Sequence, residues 1–108
     1  MKNPFPDFVS KLPVRDYGIE GLIVHADKGE FGETYFVYAH REIVFPEHAH
    51  GEQWSVVIQG KCDFTADGKT CTYKKGDRYR IPAGMTHQIT LHAGYAELDY
   101  TLFDEKPE

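Results

Sequence analysis

The chain has little of what export, membrane insertion or nucleic-acid binding requires. It contains only two cysteines, and its first residues hold no apolar stretch of signal-peptide length. No run approaches the roughly 20 apolar residues of a membrane-spanning helix. The formal net charge is -5 and the basic residues are scattered, whereas nucleic-acid binders cluster Lys and Arg. We therefore expect a soluble, cytoplasmic protein that contacts neither a membrane nor a nucleic acid.

The two cysteines flank a turn signal. Cys62 and Cys71 lie on either side of Asp67-Gly68, a dipeptide that tolerates the positive φ values of a tight hairpin turn. In such a hairpin the two side chains would have the same parity and could come close. Because no export signal precedes them, we interpret them as small core residues with free thiols, and a disulfide is the alternative.

The composition predicts a single folded domain over residues 1–108. With 41% hydrophobic and 14% aromatic residues, the chain can bury a sizeable core, which excludes a disordered protein. The length suits one domain and is too short for two independent cores.

Short strands dominate the pattern. Apart from one helical turn at 7–11, no helical periodicity persists, and Gly, Pro and Asp turns separate segments rich in β-formers. The predicted strands are 19–25, 31–40, 43–45, 53–59, 61–66, 69–73, 78–81, 87–92 and 96–103. This rhythm is typical of an all-β sandwich or barrel, with antiparallel pairing wherever tight turns join consecutive strands.

A histidine pair near the middle of the chain is the first candidate for chemistry. His48 and His50 would project the same way from extended backbone, because strand side chains repeat every second position. Gln53, entering the next strand, can bring an amide oxygen to the same point, and His87 offers a third imidazole from a later strand. Glu52 is the alternative fourth ligand, although its parity is opposite to that of Gln53.

These residues lie in two motifs that resemble those of the cupins, a family of double-stranded β-helix (jelly-roll) barrels. The first cupin motif, His-x-His before a Glu or Gln and then six residues and a Gly, is matched by His48, His50, Gln53 and Gly60. The second, Gly, five residues, Pro-x-Gly, two residues and His, is matched by Gly76, Pro82, Gly84 and His87. Both motifs lie within 46–91, and the resemblance implies a single-domain cupin barrel.

The resemblance further implies a metal centre formed by His48, His50, Gln53 and His87. Three imidazoles and an amide oxygen suit one divalent transition metal, such as Fe, Mn, Ni, Co or Zn. Since all four ligands are neutral, the ion would keep its charge and attract an anionic or oxygenated organic ligand.

The remaining expectations concern the ligand and the assembly. Tyr35 and Tyr79 are expected to touch the ligand, because a phenol combines an apolar face with a hydrogen-bonding tip. Inward parity also predicts that further side chains line the barrel, namely Val37, Phe45, Ser55, Val57 and Ile81. Trp54, Val56 and Ile58 point away from the proposed metal, which favours a homodimer through that face.

Two functions remain open from the sequence. The favoured one is a metal-dependent enzyme acting on a small oxygenated substrate, of dioxygenase, isomerase or lyase type. The alternative is a non-catalytic module that binds or senses a small sugar or acid in the same barrel. A structural or storage role ranks below both, because it leaves the ligand-like residues unexplained.

Overall fold

The structure is a computed structural model that describes residues 2–103 and contains one short helix and nine strands. Residues 1 and 104–108 of the expected single domain lie outside the described residues. A 3-10 helix at Asp7–Lys11 precedes the strands β1 (Leu22–Lys28), β2 (Gly32–Ala39), β3 (Ile43–His48), β4 (Gln53–Gln59), β5 (Lys61–Ala66), β6 (Lys69–Lys74), β7 (Arg78–Ile81), β8 (His87–Leu91) and β9 (Ala96–Leu102). Within residues 2–103, no helix is long and apolar enough to cross a membrane.

The strands form two antiparallel sheets, which confirms the all-β jelly-roll prediction. One sheet has the order β1-β2-β9-β4-β7 and the other the order β3-β8-β5-β6. Apart from the consecutive pairs β1-β2 and β5-β6, neighbouring strands within a sheet come from separate parts of the sequence. β4, β5 and β7 have the predicted bounds.

The first strand begins later than predicted. Residues 19–21 form a turn, closed by the Leu22 N–H donating to the Ile19 carbonyl at 3.3 Å, with Gly21 at φ 86°. β1 therefore begins at Leu22, and it runs on to Lys28 because its last residues pair with the start of β2. The residues before the turn lie along β1, where Arg15 N–H donates to the Val24 carbonyl at 2.9 Å.

The core lies between the sheets, and it corrects one expectation about the cysteines. Cys62 is fully buried and Cys71 is exposed, and both are free thiols. The free state agrees with the prediction, but the placement of Cys71 in the core was wrong. β6 lies at one edge of its sheet and has a neighbouring strand on one side only, so its side chains are little buried. Other side chains fill the interior, including Val57, Ile81 and Leu91 from the sheets and Tyr95 from the turn before β9.

The outer face of the five-stranded sheet is covered only in part. Phe5 and Phe8 pack edge-on against Phe36, with ring centroids 5.4 and 6.4 Å away. The N-terminal helix thus shields one region of this face. Trp54 remains 53% exposed, and the Arg80 guanidinium lies over its ring at 5.7 Å.

Candidate metal centre

Pairing of β3 with β8 brings two distant histidines together. His48 lies opposite His87 in the register of the two strands, which is irregular between Phe45 and His48. Pro46 lies within that irregular segment and has no N–H to contribute to the ladder. The two imidazole centroids are consequently only 4.3 Å apart.

His50 joins them from the loop that follows β3. The Gly84 N–H donates to the His50 carbonyl at 2.9 Å, which ties this loop to the turn before β8. The His50 ring lies 5.3 Å from that of His48 and 4.8 Å from that of His87, centroid to centroid. One candidate ligand nitrogen from each ring lies within 4.8 Å of the other two.

Hydrogen bonds to the backbone decide which ring nitrogen faces the centre. In all three histidines Nδ1 lies within hydrogen-bond distance of a main-chain carbonyl, which can only accept. Nδ1 must therefore carry the proton, and the neutral ring keeps a bare Nε2, the form that binds a metal. The acceptors for His48, His50 and His87 are the carbonyls of Pro46, Gly51 and Met85, at 2.8, 2.7 and 2.9 Å.

His87 is the most buried member of the cluster, at 2% exposure. Burial lowers its pKa more than the hydrogen bond to the Met85 carbonyl raises it, and the nearby His48 and His50 lower the pKa further. Its ring stacks on Phe64 at 5.3 Å. Burial thus favours the neutral form of His87.

Gln53 and Glu52 face different environments. Gln53 lines the same cavity as the histidines but from β4, in the opposite sheet. Its Nε2 donates to Ser55 Oγ at 2.8 Å, and its amide oxygen is the atom of this side chain that can bind a metal. The Glu52 carboxylate instead accepts from Arg80 at 2.8 Å and from Trp54 Nε1 at 2.7 Å. The hydrogen bond from Arg80, and then that from Trp54, lower the pKa of Glu52.

The histidines border a cavity of about 450 Å³ between the sheets, a size typical of small-molecule sites. Most of its wall is aliphatic or aromatic. It is lined by Tyr17, Val24, Tyr35, Val37, Phe45, Pro46, His48, His50, Gln53, Ile81, His87, Ile89, Leu91, Glu97, Asp99 and Thr101. Three of the five side chains predicted from parity alone, Val37, Phe45 and Ile81, are therefore on this wall, while Ser55 and Val57 are not among the described residues that line it.

The two tyrosines predicted to touch a ligand lie in different places. Tyr35 is on the cavity wall, where its hydroxyl donates to Glu33 at 2.7 Å. Burial, followed by the bond to Glu33, raises the pKa of Tyr35 to about 12. Tyr79 is not among the described residues that line this cavity. Its ring stacks on Tyr73 at 4.6 Å and its hydroxyl donates to Glu97 at 2.6 Å.

The sequence pattern did not predict that two acidic residues would line the cavity. Glu97 and Asp99 are buried on β9, in a segment where Leu98 and Tyr100 are the apolar positions. Simple alternation would therefore turn the acids outward. The only signal available was pairing, because Asp99 lies opposite Ser55 and Thr101 opposite Gln53, both of which have inward parity.

The donor set fits a divalent transition metal. Imidazole nitrogens are borderline ligands, and with a harder amide oxygen they form a set that Fe, Mn, Co, Ni and Zn accept. Neither Cys62 nor Cys71 is among the described residues that line the cavity, so the described site contains no thiolate.

Comparison with known proteins agrees with this architecture. No curated protein matches the chain in sequence. A RmlC-like cupin from Shewanella frigidimarina NCIMB 400 superposes with a TM-score of 0.76 at 18% identity, covering 90% of this chain and 88% of that chain. KdgF from Halomonas sp. superposes with a TM-score of 0.73 at 18% identity, covering 89% of this chain and 91% of that chain. A cupin superfamily protein from Desulfitobacterium hafniense DCB-2 superposes with a TM-score of 0.73 at 18% identity, covering 95% of this chain and 97% of that chain.

At such low identities the solved structures establish the fold alone. The family is established by a match to a sequence model of that family. The model of the Cupin_2 family, described as a cupin domain, matches residues 34–98. That span contains both histidine motifs, eight of the nine strands wholly or in part, and every proposed metal ligand. By sequence, by fold and by the placement of its histidines, the chain belongs to the cupin family.

Proposed function

We propose that this protein is a metal-dependent enzyme that acts on a small oxygenated or anionic organic molecule. His48, His50 and His87 would hold one divalent transition metal, with Gln53 as the fourth ligand. The observation that carries the proposal is the convergence of three histidines, each with Nδ1 committed to a backbone carbonyl, on one cavity. An exposed histidine without a ligand role has no need of such fixed orientation.

The chain's own residues prepare the cavity for a small ligand. When bound, the ion would supply Lewis-acid polarisation of a ligand oxygen. Aliphatic side chains from both sheets, among them Val37, Ile81 and Ile89, give the cavity a mainly apolar wall. The Tyr35 phenol stays protonated at neutral pH and can orient a ligand by its hydrogen bonds. The volume admits a small molecule and no polymer.

Metal titration tests the site directly. Calorimetry and elemental analysis of the wild type should give close to one divalent ion per chain. His48→Ala and His87→Ala should each weaken binding by about 100-fold or more, since loss of even an outer partner of a ligand costs about 10–100-fold. His40→Ala is the matched control, because His40 is exposed and lies outside the cluster. Unaltered binding in both cluster variants would rule out this centre.

Turnover separates the enzyme from its alternative, a non-catalytic module that binds a small sugar or acid. Metal-loaded protein is incubated with small acids, sugars and phenols while oxygen uptake and product formation are followed. Product that disappears in His48→Ala and His87→Ala supports the enzyme. Saturable binding across the panel without product would instead establish the binding module.

We also propose that residues 1–108 form one cytoplasmic domain that works as a homodimer. The two free thiols suit a reducing compartment. The dimer would pair the outer face of the five-stranded sheet, where Trp54, Val56, Leu98 and Tyr100 surround a shallow depression. A half-exposed Trp in such a patch is typical of an interface.

A further inference from the structure

Most polar side chains of the cavity wall already bond to other groups of the protein. The Tyr35 hydroxyl donates to Glu33 at 2.7 Å. The Glu97 carboxylate accepts hydrogen bonds from two tyrosines, at 2.6 and 2.5 Å, and the Asp99 carboxyl is hydrogen-bonded to Glu97 and Ser55. The protons of these side chains are thus engaged within the protein.

Two hydroxyls on the same wall have no such partner. Tyr17 and Thr101 both line the cavity, and neither side chain makes a hydrogen bond to another described residue. Tyr17 is 53% exposed, so bulk water can hydrate its hydroxyl. Thr101 is half-buried on β9. Its hydroxyl can therefore serve a ligand in a cavity whose wall is mainly apolar.

The strand register places Thr101 beside a proposed metal ligand. Thr101 lies opposite Gln53 of β4, and both side chains line the cavity. Side chains directly opposite each other on one face of an antiparallel pair have Cβ atoms about 4.5–5.5 Å apart. The Thr101 hydroxyl is consequently a near neighbour of the Gln53 amide.

The residue on the other side of Thr101 is already neutralised. Glu33 of β2 is the second register neighbour of Thr101, and its carboxylate accepts from Arg15 and from Tyr35. None of the described residues that line the cavity is Lys or Arg. The polar group that Thr101 offers is therefore uncharged, and a ligand hydroxyl matches it, because each hydroxyl can donate and accept.

Building on the proposed function, we propose that Thr101 determines specificity for a hydroxyl group of the ligand. The ligand is a 2,3-dihydroxy monocarboxylate. Its carboxylate and 2-oxygen lie at the histidine cluster, and its 3-hydroxyl forms a hydrogen bond with Thr101 Oγ1. A ligand with a methyl group in that place leaves the Thr101 hydroxyl without a partner and binds more weakly.

Two matched probes test this specificity. Glycerate and lactate share the 2-hydroxy acid group and differ at carbon 3, which is CH₂OH in glycerate and CH₃ in lactate. Titrated by calorimetry into the Zn²⁺-loaded wild type, glycerate should bind about three- to ten-fold more tightly than lactate of the same configuration, the range of one neutral hydrogen bond. Equal affinities, or tighter binding of lactate, would overturn the proposal.

Variants of Thr101 locate the effect. Thr101→Val removes the hydroxyl but keeps a β-branched side chain suited to a strand, and it should reduce the glycerate-to-lactate preference to about one. Thr101→Ser keeps a hydroxyl and should retain the preference. Thr34→Val is the matched control, because Thr34 is also half-buried in this sheet but lines the depression on its outer face. A preference that persists in Thr101→Val would rule out recognition by Thr101.

Methyl NMR provides a reading that does not depend on affinity. The Thr101 methyl resonance of the Zn²⁺-loaded wild type is assigned by its absence from the spectrum of Thr101→Val. Saturating glycerate should shift this resonance and leave that of Thr34 in place. An unmoved Thr101 methyl at saturation would contradict the proposed contact.

The Zn²⁺ content of the same samples separates this inference from the proposed function. Thr101→Val should still bind close to one Zn²⁺ per chain, because Thr101 is not a proposed ligand. If the wild type binds Zn²⁺ but does not prefer glycerate, only the assignment to Thr101 fails. If the wild type binds no Zn²⁺, the metal centre fails, and the specificity that rests on it fails as well.

Discussion

Each proposed histidine ligand is oriented by a hydrogen bond to a nearby part of its own chain. His48 and His87 both use the carbonyl two residues earlier, Pro46 and Met85, and His50 uses that of Gly51. Bonds over so short a separation close little additional loop and form with the local backbone conformation. The tautomer is thus a local property, whereas the meeting of the three rings requires the whole barrel.

The two thiols should differ sharply in reactivity. Burial is the main cause that raises the pKa of Cys62, to about 12, and only the thiolate reacts with disulfide reagents. In the native protein at pH 8 we expect one modified cysteine per chain by mass spectrometry. Urea should expose the second.

Cys71→Ser provides the check on that assignment. This variant should show almost no native labelling, because Cys71 is the exposed thiol. Since the pKa of Cys62 is raised, its labelling should stay slow as the pH rises and accelerate only near pH 12. Rapid native labelling of Cys71→Ser at pH 8 would contradict the described burial.

Among the elements, β9 shows the limit of pattern analysis. Its apolar positions, Leu98 and Tyr100, face the outer depression, while Glu97 and Asp99 face the cavity. Period-2 alternation reveals that the two sets lie on opposite faces, but not which face is inside. Pairing with β4, whose inward side carries Gln53 and Ser55, decides it.

A substitution in the turn that ends β4 should measurably lower the free energy of unfolding. Gly60 has φ 75°, and an added Cβ would lie 2.9 Å from the Tyr95 Cα. Gly60→Ala should lower the free energy of unfolding by about 2–4 kcal/mol, combining the left-handed backbone penalty with overpacking. Urea denaturation followed by tryptophan fluorescence measures the change.

Gly68→Ala isolates the backbone contribution. Gly68 has φ 71°, and nothing lies within 4 Å of an added Cβ. This variant should lose only about 1–2 kcal/mol, the cost of the left-handed conformation alone. Equal losses at Gly60 and Gly68 would show that the turn after β4 relaxes away from Tyr95.

At the scale of the whole molecule, the proposed dimer depends on the outer face of the five-stranded sheet. Trp54→Lys should convert the wild-type dimer into a monomer, because it replaces an exposed aromatic side chain of the proposed interface by a charge. Size-exclusion chromatography with light scattering at micromolar concentration reports the mass. Val44→Lys is the control, since Val44 is 51% exposed, close to the 53% of Trp54, but lies on the other sheet.

A monomeric wild type would remove the dimer proposal. A dimer that survives in Trp54→Lys and dissociates in Val44→Lys would move the interface to the four-stranded sheet. Metal binding should be unaffected by either variant, because both side chains point away from the cavity. The oligomeric state and the metal centre can therefore be assessed independently.

Many local features of the structure could be predicted from the sequence, because they depend on the geometry of a few neighbouring residues. The His-x-His spacing, the turn at Asp67-Gly68 and the parity of Gln53 and Glu52 follow from strand and turn conformations of a few residues. The bounds of β4, β5 and β7 were predicted for the same reason, since strong β-formers are bordered there by turn residues.

What only the tertiary structure decided is how distant strands are paired. Register placed Asp99 opposite Ser55 and so turned an acid into the cavity, and it committed the Tyr79 hydroxyl to Glu97. Position at the edge of a sheet left Cys71 exposed. Parity within a strand is local, but the choice of inward face minimises the free energy of the whole assembly of strands, so it emerges only when the two sheets close on each other.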